Sequence, residues 1–578
     1  MNTSAARLQR GICRSPVAVA IASVLALAGP TCALASNNWL VTSCTDSAPG
    51  SLRAIVLAPT TLSGDTVDLN TLECSDGKLT LTSSSITIAQ DSLTIVGPGK
   101  DVLQIYAAGL PSTGRVFDHQ GSGTLDIRNL GLSSGHVYRY AAGQVALGGC
   151  IYSKADVSLL SVKLDTCSVT SLQDRARGGG VYTKGTLTID QSTISGNTAY
   201  SGAGGSNGAS GAGLAAKGKL TVTTSTISGN TATAPNGFGM GGGVWAGGNA
   251  VMKKAVEVIG NSVVSDHGAA GGGGILAQGT LQFDYSLLAG NSTSLANTGG
   301  GCGGAGASVF GAFSAKYSTI DSNHATGPTL QTTAGGINVS GDVTLESSTI
   351  SNNTSSGIGA GLYASDNGAF DRKVFLRNST ISGNHANWIG GITSSHKNFL
   401  VYNSTIAFNT ADAATFSTAT FSPGVQISAF FQDIAVKFQS SIVSNNTVGA
   451  DQENDFAIGQ TTYSVPVTLT DSLIRASSVP LLPTNSACPL LGALRDNGGL
   501  TQSHALLSRS PVIDHGNDDL INPETLGPYG FDQRGPVLLN NERDYARASG
   551  SHADMGAYEV QKDDIVFNTA FEGCPAVP

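Results

Sequence analysis

The side chains able to do acid–base work in this 578-residue chain are few and scattered. Charged residues make up 12% of it, about half the usual ~25%. Asp518-Asp519 and Asp563-Asp564 stand near the carboxy end, and Asp118-His119 and Asp266-His267 are isolated pairs. Glycan hydrolysis or lysis needs carboxylates gathered at one bond, alone or around a metal. Asp190, Asp284 and Glu346 each precede an aliphatic residue (Ile194, Leu288, Ile350) by four positions. That phase puts all three on one outward face. They belong to non-adjacent segments, so a solvated face accounts for them better than a catalytic centre. His504 and Asp514 have the residue types of an acid–base pair, but bonding to turn backbone accounts for them better. Asp532-Gln-Arg534 reads as an internal ion pair. The calcium nonapeptide Gly-Gly-x-Gly-x-Asp does not occur, and the cysteine spacings do not resemble zinc sites. No catalytic residue, metal ligand or cofactor is therefore assigned, and the chain leans away from being an enzyme.

What must position any site is a repeat. Ser-Thr-Ile-Ser-Gly-Asn-Thr-Ala occurs at 192–199 and again at 225–232. Looser copies give an aliphatic series: Leu164, Ile194, Ile227, Val258, Leu288, Ile320, Ile350, Ile381, Ile406, Ile442 and Ile474. Their spacings are 30, 33, 31, 30, 32, 30, 31, 25, 36 and 32 residues. Such a period marks a stacked repeat protein. Within one unit, Leu187-Thr-Ile189 alternates apolar and polar as a half-buried strand does. Ser192–Ser195 is a second short strand, and Gly178–Val181 leads into a third. No useful helix fits between them, and leucine-rich repeats have a shorter period, ~20–29 residues. The fold predicted is all-β: a single-stranded right-handed parallel β-helix with about 30 residues per coil. Stacking of coils closes a core that no single coil can close. The aliphatic series stacks inside. Asn197, Asn230, Asn261, Asn291, Asn323, Asn353, Asn384, Asn409 and Asn445 form a structural ladder at one turn, where Asn tolerates left-handed backbone and bonds its neighbours.

Composition agrees. Glycine is 75 of 578 residues, nearly twice the usual ~7%. The net charge of −9 carries no basic run, which argues against nucleic acid as a partner. Residues 1–35 read as a signal peptide: Arg7, Arg10 and Arg14, an apolar core at Val17–Ala28, and a small-x-small site at Ala33-Leu-Ala35. No later stretch is long and apolar enough for a transmembrane segment. Export permits disulfides. Seven cysteines follow residue 35, and Cys44–Cys74 and Cys488–Cys574 are the pairings expected from position. Cys150 and Cys167 occupy the positions of Gly180 and Asn197 in the next coil and read as ladder substitutions.

In order, residues 36–64 are an amino-terminal cap in which Ser51 starts a short helix burying Leu52, Ile55 and Val56. Residues 65–476 carry the β-helix, with longer loops at 365–372 and 423–433, where Phe430-Phe431 lies. Residues 477–578 change character. Ser51-Leu-Arg and Gly64-Asp-Thr-Val resemble the CSLREA-type segment that precedes β-helices in bacterial exported proteins, although the Glu is missing and the cysteine is displaced to 44. Gly-Gly-aliphatic plus Ile-x-x-Asn over roughly 150–450 resembles the repeats of the polymorphic outer-membrane protein family. The ordered set Leu490–His504, Leu506–Gly516, Asp532–Gly535 and Asp554–Glu559 resembles the choice-of-anchor Q region of bacterial surface and secreted β-helix proteins. That resemblance implies a sorting or capping role for the region and brings no catalytic residues. The reading is an exported, extracellular or outer-surface protein, monomeric, adhesive or binding a surface or polysaccharide ligand. The alternative is a polysaccharide lyase or glycoside hydrolase on the same fold.

Overall fold

The computed structural model describes residues 36–562, apart from short stretches of which 413–420 and 521–529 are the longest, together with Asp564 and Cys574. The expected signal peptide, Asp563 and most of loop 365–372 lie outside the described residues. The chain is an all-β right-handed parallel solenoid of about 13 turns and about 31 residues per turn. Among the described residues, no helix is long and apolar enough to cross a membrane.

One turn shows why the sequence winds this way. Val181–Thr183 lies in sheet B. Leu187–Asp190 and Thr193–Ser195 both lie in sheet A, which bends between them at Gln191 (φ +50°). Thr198–Ser201 lies in sheet C and Gly205–Ser210 in sheet D. The next turn then starts at Leu214 in register with Val181. A turn thus uses more strands than the three expected. Leu187, Ile189 and Ile194 point inward and are fully buried, while Thr188 between them is exposed. The main core is the stacked inward set of sheets A and B. Sheets C and D face each other as a side lobe with its own small core, mostly alanine: Ala146, Ala176, Ala199, Ala209, Ala232 and Ala270 among others. Alanine and glycine strands carry a weak strand signal, which is why the sequence did not show this lobe.

The glycine run 178–180 closes the corner before sheet B. Gly178 has φ +67°, a left-handed conformation that glycine adopts at little cost. A Cβ on Gly179 would lie 2.4 Å from the carbonyl oxygens of Thr198 and Ala212.

The inward series is Leu164, Ile194, Ile227, Val258, Leu288, Ile320, Ile350, Ile381, Ile406, Val443 and Ile474. The expected Ile442 is corrected to Val443. Ile442 points outward instead and packs with Ala407, Leu473, Leu506 and Val512. The outer face is covered at this point, so apolar and polar residues no longer alternate.

At the amino end a short helix packs on the core. Ser51 Oγ accepts the Ala54 amide, and helix α1 (Leu52–Val56) inserts Leu52 and Val56 into the core. Buried Arg53 pairs with Asp46 at 2.8 Å. Asn38–Leu40 belongs to the solenoid itself, as the first strand of sheet A. At the other end, Val479 and Leu482 pack against the last turn of the core, and Asn485 N–H donates to Ile474 O.

Other described parts of the carboxy-terminal region lie along the outer face of sheet A, across several successive turns. Thr501 Oγ1 donates to Ser347 O, and Asn378 Nδ2 to Phe531 O. Gln533 bridges Thr349 and Thr380. Gly556 N–H donates to Ser440 O, and Asn517 Nδ2 to Asp471.

Candidate functional site

Asp190, Asp284, Glu346, His504, Asp514 and Asp532 each have a structural partner. Asp190, Asp284 and Glu346 share one outward column of sheet A, as their phase requires. At ~4.8 Å per strand, three turns separate the first two and two turns the last two. The intervening column positions include Lys253 and Lys316, and Arg377 follows. Glu346 pairs with Arg377 at 2.9 Å and Lys316 at 3.6 Å, and Asp190 accepts from Thr223 Oγ1 at 2.6 Å. The column is a ladder of neutralising charges.

His504 and Asp514 are not brought together. His504 is buried, with Nδ1 2.6 Å from Gly492 O and Nε2 2.8 Å from Ser382 Oγ. A carbonyl only accepts, so Nδ1 carries the proton and Nε2 accepts from the serine. Burial holds this imidazole's pKa down at about 4. Asp514, itself at φ +58°, accepts the amides of Ser551 and His552. Asp532 and Arg534 do form an ion pair at 2.7 Å, with the guanidinium 3.8 Å from the ring centres of both Tyr545 and Tyr558. Arg534 and Arg547 lie buried with Asp532, Asp554 and Glu559, and burial pushes Glu559 up to about 9. The conspicuous residues of the carboxy-terminal motif thus make the polar core of the docked segment.

An asparagine ladder runs from Asn197 to Asn409. Each Oδ1 from Asn230 onward accepts the backbone N–H and the Nδ2 of the preceding turn's asparagine, and each Nδ2 also donates to a carbonyl one turn back. Its last asparagine is Asn446, which corrects Asn445. Asn445 has φ +59° and fills the place that Gly196, Gly229 and Gly260 hold before their asparagines. Sequence reasoning gave left-handed geometry to the ladder asparagine, but the preceding residue has it. The ladder ends on buried Asp455, whose carboxyl is pushed up by burial and then by Glu453.

At its start, Asn197 Oδ1 accepts the Cys167 amide. Cys167 is bonded to Cys150, which corrects their reading as inert ladder substitutions. A Cβ on Gly180 would lie 3.4 Å from Asn197 Cγ, so these two positions face each other in every coil and two cysteines there bridge. Cys44–Cys74 and Cys488–Cys574 are also disulfides, and Cys302 is free and buried. A second ladder escaped sequence reasoning: Ser286, Ser318, Ser348, Ser379, Ser404 and Ser441 each receive the backbone amide of the turn before. Its signal was a serine two residues before each inward aliphatic.

A concavity runs across the turns at the re-entrant corner between sheets B and D. Its floor is the outward column Tyr152, Tyr182, Ala215, Trp245, Leu276, Ser308 and Asn338. Its wall is the column Leu147, Arg177, Ser210, Met240, Gly271, Gly303 and Thr333. At one end the groove's own side chains fill it: Tyr152 and Tyr182 stack at 5.9 Å, and the Arg177 guanidinium lies 4.6 Å from the Trp245 ring centre. At the other end the residues shrink to Gly271, Gly303 and Ser308, and a cavity of about 280 Å³ opens. Met240, Leu276, exposed Phe310, Gln331, Thr333 and Asn338 help line it, and no lining residue is acidic or basic. Among the described residues, no three His, Cys, Asp or Glu side chains gather as a metal site. The groove can hold a ligand by apolar contact, hydroxyls and amides, and it presents no acid–base pair. The loop aromatics Phe430 and Phe431 are exposed and lie apart from it, at the turn between sheets B and A.

Comparison with protein families, curated proteins and solved structures gives no match to this chain.

Proposed function

We propose that this protein is an exported, surface-located or secreted β-solenoid that binds a linear polysaccharide along the groove between sheets B and D without cleaving it. The observation that carries the reading is the groove itself, long, uncharged where it opens, and lined there by Ser308, Thr333, Asn338 and the Phe310 ring. Apolar ring faces with a few placed polar groups are the usual makeup of such sites. The strands on both sides are paired within their sheets from Leu147 to Asn338. An extended peptide would find no free strand edge there to extend, which favours a hydroxyl-rich ligand read by side chains. The disulfides are compatible with an oxidising compartment. The resemblance of residues 490–559 to the choice-of-anchor Q region supports a surface or secreted setting.

The test is affinity electrophoresis of the protein in gels carrying neutral and acidic polysaccharides, with reducing ends and unsaturated products followed in parallel. Retardation without turnover is expected. Ser308→Trp should abolish retardation and leave the melting temperature unchanged, because Trp245 already occupies the same column. Turnover would replace the reading with an enzymatic one. Retardation that survives Ser308→Trp would move the site elsewhere.

A further inference from the structure

The closed end of the groove holds a cation that the fold does not neutralise. Arg177 points along the groove from sheet D. It spans two turns, over Ala215, to reach Trp245. Among the described residues, its guanidinium has neither a hydrogen-bond acceptor nor an ion-pair partner, and its Nε is buried without one. Buried polar groups are normally satisfied, and a guanidinium taken from water without a carboxylate is costly. The ring face of Trp245 offsets only part of that cost. The surroundings add positive charge. Arg175 lies beside Arg177 with its Nε on Asn207 Oδ1, and Arg115 lies over Tyr152. Of these three arginines, Arg115 alone has an ion pair among the described residues, to Asp118 at 3.1 Å. This occurs in a chain of net charge −9. The guanidinium also adjoins the open cavity: Trp245 is in register with Leu276, and Leu276 and Met240 line that cavity.

We propose that the polymer bound in the groove is acidic, and that Arg177 pairs with one of its carboxylates at the Trp245 end while its neutral hydroxyls occupy the cavity at Ser308 and Asn338. This rests on the groove reading above and adds the sign of the ligand's charge and the residue that reads it. Arginine suits the role, since its planar fork matches a carboxylate bidentately. A uronate-bearing polysaccharide is the ligand class that joins carboxylates to a hydroxyl-rich backbone.

Two pairs of probes test it: polygalacturonate against its fully methyl-esterified form, and carboxymethyl cellulose against hydroxyethyl cellulose. Within a pair, the acidic member should retard the native full chain more strongly, and the difference should shrink with added salt. Arg177→Gln should remove the difference, weakening acidic binding about tenfold or more as expected for a lost charge-assisted pair, with neutral binding unchanged. Arg177→Lys should keep part of it. Equal binding of acidic and neutral members, insensitive to Arg177→Gln, would overturn this inference and leave the groove reading intact. No binding to either member of either pair would overturn both. If Arg177→Gln lowers the melting temperature, the salt dependence of the wild type and the Arg177→Lys variant decide the matter: salt-insensitive binding, or loss of neutral as well as acidic binding in Arg177→Lys, rejects the pairing.

Discussion

Replacing Asn323 by alanine isolates one rung of the ladder that holds the turns together. Asn323 is fully buried. Its Oδ1 accepts from Asn291 N at 3.0 Å and Nδ2 at 2.9 Å, and its own Nδ2 donates to Leu288 O at 3.0 Å and Asn353 Oδ1 at 2.9 Å. Alanine removes all four bonds but keeps the bond from its backbone N–H to Asn353 Oδ1. At about 1 kcal/mol net per bond, the loss is roughly 4 kcal/mol. The Asn291 amides left without an acceptor push the cost upward, since Asn291 is fully buried. Each turn of a solenoid contacts only its neighbours, so the damage should appear as a separate early transition in urea unfolding rather than a uniform shift. Thr188→Ala, at an exposed position of the same fold, is the control and should change stability little. Amide exchange gives the local readout, because the Asn291 N–H loses its acceptor and should exchange faster. A loss below about 1 kcal/mol, with Asn291 as protected as in the wild type, would refute the claim that these side chains join the turns.

Three further outcomes are expected. Replacing both Cys150 and Cys167 by alanine removes a bridge across 17 residues, costing roughly 3 kcal/mol by loop entropy. The pair Cys150→Gly with Cys167→Asn should lose clearly less in the same urea titration, because it installs the Gly180/Asn197 solution of the next turn. Stability should fall as pH drops from the ordinary histidine range toward 4, because His504 stays neutral when folded, with its pKa held at about 4, whereas the unfolded chain takes up the proton near 6.5. The full loss is roughly 3 kcal/mol; chemical denaturation across that range should show it, and His504→Gln should flatten the profile. Cys302, buried and pushed up to about 11, should resist alkylation in the native protein at pH 8 and be labelled only after unfolding, as peptide mapping of residue 302 would show.

The solenoid was legible because its period is written in residues that only burial explains, Ile194 and Ile227 inward with Asn197 and Asn230 at the following turn. The register slipped by one at Ile442 and Asn445. There the docked carboxy-terminal segment makes an outward position apolar, and Asn445 takes the left-handed place that glycine holds in other turns. The side lobe was invisible because its core is mostly alanine and strands such as Gly205–Ser210 and Gly237–Met240 are broken by glycine. The Cys150–Cys167 bridge needed the three-dimensional neighbourhood of positions 180 and 197, which sequence separation does not reveal. The groove is made of single residues about thirty apart in sequence, Trp245, Leu276, Ser308 and Asn338, none of a type that signals chemistry alone. The carboxylates that looked closest to chemistry lie instead in a column of paired charges.

The central claim, that the corner between sheets B and D is the binding surface, is tested most directly by hydrogen-exchange footprinting with the polysaccharide that retards the protein most. The account predicts slowed exchange confined to peptides covering 239–245, 269–276, 301–310 and 331–340. Protection at 428–433 and 458–465 instead, around exposed Phe430, Phe431 and Tyr463, with the groove unchanged, would contradict it.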